Sequence, residues 1–162
     1  MNIDRRAFVG LTGAAAISGF LLFGRSGTAA TGVRFPVNHT PEEWRRLLGP
    51  QRFEVLREAA TEPPFSSPLL NEHRRGTFVC AGCANSLFSS ATKFDSGTGW
   101  PSFWKVLPRG VVARADHSLM MERTEVLCAR CGGHLGHVFD DGPKPTGLRY
   151  CMNGLAMNFR AA

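Results

Sequence analysis

Charge is scarce in this chain and nowhere concentrated. Asp, Glu, Lys and Arg make up 20% of its 162 residues, and the net charge is +6. Asp4, Arg5, Arg6 and Arg25 lie in the first thirty positions, and without them the rest carries only +4. A nucleic-acid-binding face needs a dense basic patch or stripe, so none is indicated. Disorder and a collagen-like chain are excluded by a hydrophobic content of 43%. With 18 Gly and 10 Pro the chain does not read as a helical bundle either. No internal repeat stands out beyond two Cys-x-x-Cys units. There are only five cysteines, Cys80, Cys83, Cys128, Cys131 and Cys151. An odd number rules out a framework built from intramolecular disulfides alone. The length fits one domain with a real core.

Residues 1–30 have the three-part layout of an export signal: a basic start, an uncharged stretch from Ala7 to Gly24, and small residues at Thr28-Ala29-Ala30. Arg5-Arg6 followed by Ala7-Phe8-Val9 resembles a twin-arginine signal. Gly10, Thr12, Gly13, Ser18 and Gly19 dilute the apolar stretch, which favours a cleaved or weakly held signal over a permanent anchor. The expected layout is a signal over 1–30, a linker over 31–39 and the functional domain over 40–162. The expected location is the periplasm or another extracytoplasmic space.

A helix is expected from Thr40, which caps it, with Pro41 at its first position and Glu43 completing a Thr-x-x-Glu box. Trp44, Leu47 and Leu48 form its apolar face, and Gly49-Pro50 ends it. A second helix fits 51–60, with Phe53 and Leu56 inward. Pro63, Pro64 and Pro68 make 61–70 an irregular surface segment. From Thr77 the pattern turns to strands: Thr77–Cys80, Gly110–Arg114, Leu119–Cys128, Gly136–Phe139 and Leu148–Asn153. Gly-rich turns at Asp95–Gly99, Gly132–Gly133 and Asp140–Gly147 separate them. The fold class is mainly β and antiparallel, preceded by short N-terminal helices.

Cys80-Ala81-Gly82-Cys83 and Cys128-Ala129-Arg130-Cys131 each follow a candidate strand. A Cys-x-x-Cys turn points both sulfurs into one concavity, and two such turns supply a tetrahedron of thiolates for one structural Zn2+ per chain. Gly82 and Gly132 are read as the turn residues that need backbone freedom. The competing reading is disulfides, which an oxidising compartment favours. Export in the folded state would let zinc load first. A two-cysteine, two-histidine site fits less well, because His134 and His137 follow Cys131 too closely.

Cys151 is left over. If its segment is a strand, Arg149, Cys151 and Asn153 share one face. A cation beside a sulfur favours the thiolate. The alternative is an inert core cysteine. His134 and His137, just past the second Cys-x-x-Cys, are candidate proton carriers, or they simply bond backbone carbonyls. The loop Lys93–Phe103 contains Trp100 and Phe103, which serve either as core or as the wall of a small apolar pocket.

Taken together, Cys80–Cys83, Lys93–Phe103, Cys128–Phe139 and Arg149–Asn153 resemble, in order and spacing, the methionine-R-sulfoxide reductases of the MsrB type. The resemblance covers about Thr40 to Phe159. It implies a fold of two antiparallel sheets with N-terminal helices, and reduction of the R epimer of methionine sulfoxide, free or in proteins. It places the nucleophile on Cys151, which becomes a sulfenic acid. The active-site histidines fall on His134 and His137, with Asp141, Arg149 and Asn153 around them. Trp100 would hold the substrate methyl, with Phe103 and Phe139 beside it, and zinc would sit on Cys80, Cys83, Cys128 and Cys131. Many members carry a resolving cysteine where this chain has Thr98, and Gly154 and Met157 also depart from the usual tail. The implied reductant is therefore external, a thioredoxin-like protein or a small thiol, acting on a monomer. The rival readings are a non-enzymatic zinc module, which leaves Cys151, His134, His137 and Trp100 without a purpose, and a zinc hydrolase. The hydrolase needs an open metal position that four thiolates do not leave.

The signal reading has a direct check. The double variant Arg5→Lys, Arg6→Lys is expected to leave the precursor uncleaved in the cytoplasm, read by fractionation and immunoblotting. Normal export of that variant would remove the twin-arginine assignment.

Overall fold

The computed structural model describes residues 34–118 and 122–162. The expected signal and the start of the linker, in residues 1–33, lie outside the described residues, as do 119–121.

The first element is helix α1, Pro41–Glu58. Its start is the expected capping box: Glu43 donates its backbone N–H to Thr40 Oγ1 at 3.2 Å, and Thr40 donates its own to the Glu43 carboxylate at 2.9 Å. The two expected helices run together as one element, kinked where Gly49 takes φ 70° and ψ 171° ahead of Pro50. Trp44, Leu48, Phe53, Val55 and Leu56 are buried. Leu47, expected inward, is 63% exposed, since the buried face runs through Trp44 and Leu48 and Leu47 is turned about 100° from Leu48. The segment after Ala59 is irregular as expected, with one 3-10 turn at Pro68–Asn71.

Nine strands follow among the described residues: β1 Gly76–Cys80, β2 Ser86–Ser89, β3 Lys93–Phe94, β4 Ser102–Phe103, β5 Val111–Asp116, β6 Arg123–Cys128, β7 His134–Phe139, β8 Arg149–Met152 and β9 Met157–Ala161. They form two antiparallel sheets, a small one ordered β2-β1-β9 and a larger one ordered β3-β4-β8-β7-β6-β5. The five expected strands all have counterparts; the one expected over Leu119–Cys128 runs from Arg123, and its positions 119–121 lie outside the described residues. β2, β3, β4 and β9 are additional; β3 and β4 are two residues long, too short to show alternation.

The core lies between helix and sheets. Phe88 stacks on Phe103 with ring centres 4.3 Å apart, and Phe78 meets Phe103 edge-on at 4.8 Å. All three are fully buried, each worth about 1.5–3 kcal/mol by area. The described end of the linker is also tied down: Val37 donates its N–H to the Arg130 carbonyl at 2.9 Å, and the Phe35 ring covers Gly132.

One glycine sets how closely two strands approach. Gly136 in β7 has φ 152°, and a Cβ there would lie 2.1 Å from the Cys151 carbonyl oxygen. That contact is with backbone, so no side chain can swing aside. Gly136→Ala is expected to destabilise the fold by about 3 kcal/mol, read as a lower urea midpoint at unchanged slope. An unchanged midpoint would mean that β7 and β8 can separate without loss.

Candidate active site and four-sulfur centre

Two hairpin ends, one from each sheet, bring the paired cysteines together. They close with the same hydrogen bonds. Cys80 and Cys128 donate their N–H groups to Asn85 and Gly133 at 2.8 and 2.9 Å, and their carbonyls accept from Ala84 and Gly132 at 2.8 and 2.9 Å. The left-handed position is Gly132 in one turn (φ 67°) and Ala84 in the other (φ 57°). The expectation that Gly82 supplies that freedom is therefore corrected by two residues. Gly82 lies under Trp44 instead, whose ring would be 3.5 Å from a Cβ there.

Cys80 and Cys131 sulfurs lie 3.7 Å apart, Cys83 and Cys128 sulfurs 3.5 Å, and all four fall within 4.8 Å of one another. Four sulfurs bonded at about 2.3 Å to a central zinc would be about 3.8 Å apart, so this donor set fits a tetrahedral thiophilic ion. All five cysteines are free thiols, and no disulfide competes for these sulfurs. Helix α1 braces the centre: Arg57 donates to the Cys131 carbonyl at 2.9 Å and lies over the Trp44 ring at 4.9 Å.

Cys151 stands apart, half-buried in β8. Its register partners are Ser102 on β4 and His137 on β7. Each histidine is oriented by a carboxylate that sequence reasoning missed. His134, 4% exposed, lies 2.7 Å through Nδ1 from Glu125, and His137 lies 2.8 Å through Nε2 from Asp116. The two imidazoles are 5.5 Å apart, edge to face. Burial pushes the His134 pKa down, and Glu125 only partly offsets that. The neutral ring then donates from Nδ1 to Glu125 and keeps a lone pair on Nε2, which is buried with no hydrogen-bond partner. For Glu125 burial is the largest single effect and acts upward. Its bonds to His134 and to Arg114, the latter at 2.6 and 2.9 Å, together outweigh it and bring the pKa down. Asp116 is held below the usual carboxylate range by Ser118 first and by His137 next. Both carboxylates are therefore anionic at neutral pH.

Arg149 grips Asp141 with two bonds of 2.8 Å and lies 4.4 Å over the Phe139 ring. Asp141 chiefly raises its pKa, and the nearby Cys151 acts in the same sense. Phe139 thus props the cation. Trp100 is half-buried, its indole N–H donating to the Glu62 carbonyl at 3.0 Å. Two expected site residues turn out to be occupied elsewhere. Phe103 is fully buried in the core between Phe78 and Phe88. β8 ends at Met152, and the buried Asn153 accepts from the Glu62 N–H at 3.0 Å and donates to the Leu135 carbonyl at 3.3 Å. Its amide serves the framework around Cys151.

Residues 48–161 match the SelR domain. The chain belongs to the MsrB family. It is 60% identical over 117 residues to a peptide methionine sulfoxide reductase MsrB of Bradyrhizobium diazoefficiens, covering 72% of this chain and 84% of that protein. A relative of the same name in Leptospira interrogans is 50% identical over 129 residues, 79% of this chain and 98% of that one. A third, from Methanosarcina barkeri, is 51% identical over 125 residues, 76% and 88% of the two chains.

In this MsrB chain the unread partners carried uneven signals. Glu125 sits beside Val126-Leu127-Cys128, and a carboxylate in a buried stretch demands a partner. Asp116 at a strand end and Glu62 in a proline-rich segment carried none.

The four-sulfur centre yields a test. Cys128→Ser is expected to drop bound zinc from about one per chain to a small fraction and to lower stability by several kcal/mol, because binding and folding are coupled. Metal analysis and thermal melting read both, and unchanged stability without metal would remove the structural role.

Proposed function

We infer that this chain reduces the R epimer of methionine sulfoxide to methionine, with Cys151 as the attacking sulfur. The observation that carries the reading is position. The one cysteine outside the four-sulfur cluster lies opposite His137 in the β7–β8 register, with Arg149 two residues away on its own strand. Family membership supports the same reaction.

The chemistry follows from these groups. The Cys151 sulfur attacks the sulfoxide sulfur and forms an Sγ–S bond while the oxygen takes up a proton. The hydroxyl then passes to Cys151, the substrate S–O bond and the Sγ–S bond break, and methionine leaves a sulfenic acid behind. Cysteine is oxidised by two electrons and the sulfoxide is reduced by two. The thiol proton ends on the transferred oxygen, with His137 as the relay. Its Nε2 is tied to Asp116, which leaves Nδ1 for the substrate. Trp100, pinned through its indole N–H, holds the methyl while the polar groups hold the oxygen. Exchanging methyl and oxygen, as in the other epimer, puts the oxygen on the indole.

Zinc on Cys80, Cys83, Cys128 and Cys131 would supply only a fixed junction between hairpins, since four thiolates leave no open position. With those sulfurs committed and Thr98 facing Cys151, the sulfenic acid is returned to thiol by an external thiol, thioredoxin-like or small. The substrate is methionine sulfoxide, free or in oxidised proteins. We further propose export through the twin-arginine route, an extracytoplasmic place of work and a monomeric state. No helix among the described residues is long and apolar enough to cross a membrane.

Cys151→Ser is expected to keep fold and metal and to lose at least about a thousandfold in turnover, about 4 kcal/mol of barrier. Activity is read with dithiothreitol and each sulfoxide epimer. One equivalent of substrate should leave a dimedone adduct on Cys151 in the wild type. Residual activity within about tenfold would show that another group attacks.

A further inference from the structure

Ser102, Ser96 and Thr98 form a line of hydroxyls that ends on the Cys151 sulfur. Ser102 Oγ lies 3.2 Å from the Trp100 carbonyl oxygen and 2.8 Å from Ser96 Oγ. Ser96 Oγ lies 2.8 Å from Thr98 Oγ1, which is 3.7 Å from Cys151 Sγ. Ser102 is fully buried and pairs with Cys151 in the β4–β8 register, so the far end of the line is fixed to the same strand as the near end.

Counting protons gives the line two states. Each hydroxyl has one proton to give and lone pairs to accept with, and a carbonyl only accepts. If Ser102 donates to the Trp100 carbonyl, it accepts from Ser96, and Ser96 accepts from Thr98. Thr98 then turns a lone pair toward Cys151, which suits an S–H. In the reverse polarity Ser102 donates to Ser96, Ser96 to Thr98, and Thr98 to the sulfur, which suits a thiolate. The states differ inside the line by one bond, the one to the Trp100 carbonyl. At 3.2 Å it is the longest oxygen–oxygen contact of the three.

We propose that Thr98, Ser96 and Ser102 are positioning residues for the nucleophile, a chain of hydroxyls that reverses polarity when Cys151 loses its proton, so that Thr98 donates to the thiolate. A hydrogen bond to the charged form favours that form. Three O–H bonds rotate, no proton leaves the chain, and the bond given up is the weakest one. The inference rests on Cys151 being the attacking sulfur.

The test uses the full zinc-loaded chain. Alkylation of Cys151 by iodoacetamide at pH 7 is followed on its own peptide by mass spectrometry, beside steady-state kinetics. Arg149 and His137 are unchanged in every variant. Thr98→Val keeps the shape and removes the hydroxyl; alkylation and kcat are expected to fall about tenfold with KM steady, and Thr98→Ser to restore both. Ser102→Ala removes the competing demand of the Trp100 carbonyl, so alkylation is expected to rise about threefold. Ser96→Ala, which frees the Thr98 proton in a less buried place, should rise likewise. A purely structural role would move all three variants in one direction. Wild-type alkylation in Thr98→Val, or slowing in both serine variants, would overturn the chain. Alkylation needs no substrate, so this failure is distinct from a Cys151→Ser protein that still turns over.

Discussion

The meeting of four sulfurs at the ends of two hairpins is the constraint on which the rest of this structure depends. One hairpin belongs to the small sheet and the other to the large one. Four cysteine sulfurs lie within 4.8 Å of one another, a set that suits one shared thiophilic ion. With one, they become a rigid junction between the sheets. β7 leaves that junction directly, since Cys131 is three residues before His134. Both histidines are thus placed by a strand whose first residues are anchored. Trp44 and Arg57 extend the junction to the helix, so a chain with short strands and many turns gains rigidity where its own ladders are weak.

Around Cys151 each candidate site residue is paired with a partner that fixes its orientation. Glu125 holds His134, Asp116 holds His137, Asp141 holds Arg149, and the Glu62 carbonyl holds Trp100. Glu62 does more than this. Its buried carboxylate accepts the N–H groups of Gly154 and Leu155, and its own N–H goes to Asn153. A single residue of the proline-rich strap therefore links Trp100 to the turn just after Cys151. Orientation of this kind lowers the cost of reaching a productive geometry, because the groups need not be ordered when substrate arrives.

Much was legible early because it depended on local spacing. The Thr40–Glu43 cap, the cysteine pairs, the strands with clear alternation and the distinctness of Cys151 all follow from residues close together in the chain. What was not legible depended on contacts far apart. Leu47 and Leu48 are adjacent and equally apolar, and only what packs against the helix decides that Leu48 is buried and Leu47 is not. Phe103 and Asn153 sit in motifs that resemble site residues, yet the first is core and the second is bonded to the framework.

The sequence by itself determined the family, the two cysteine pairs that could share a metal ion and the one cysteine left outside them, because those need particular side chains at particular short spacings. Tertiary structure alone decided which carboxylate faces which histidine, that a buried glutamate in a loop ties Trp100 to the turn after Cys151, and that three hydroxyls line up on its sulfur. The physical reason is range. A hydrogen bond is satisfied at about 3 Å whatever the sequence separation. Glu62 and Gly154 are 92 residues apart, and Thr98 and Cys151 are 53. The path of the loops across the sheets brings such groups together, and no pattern along the chain records it.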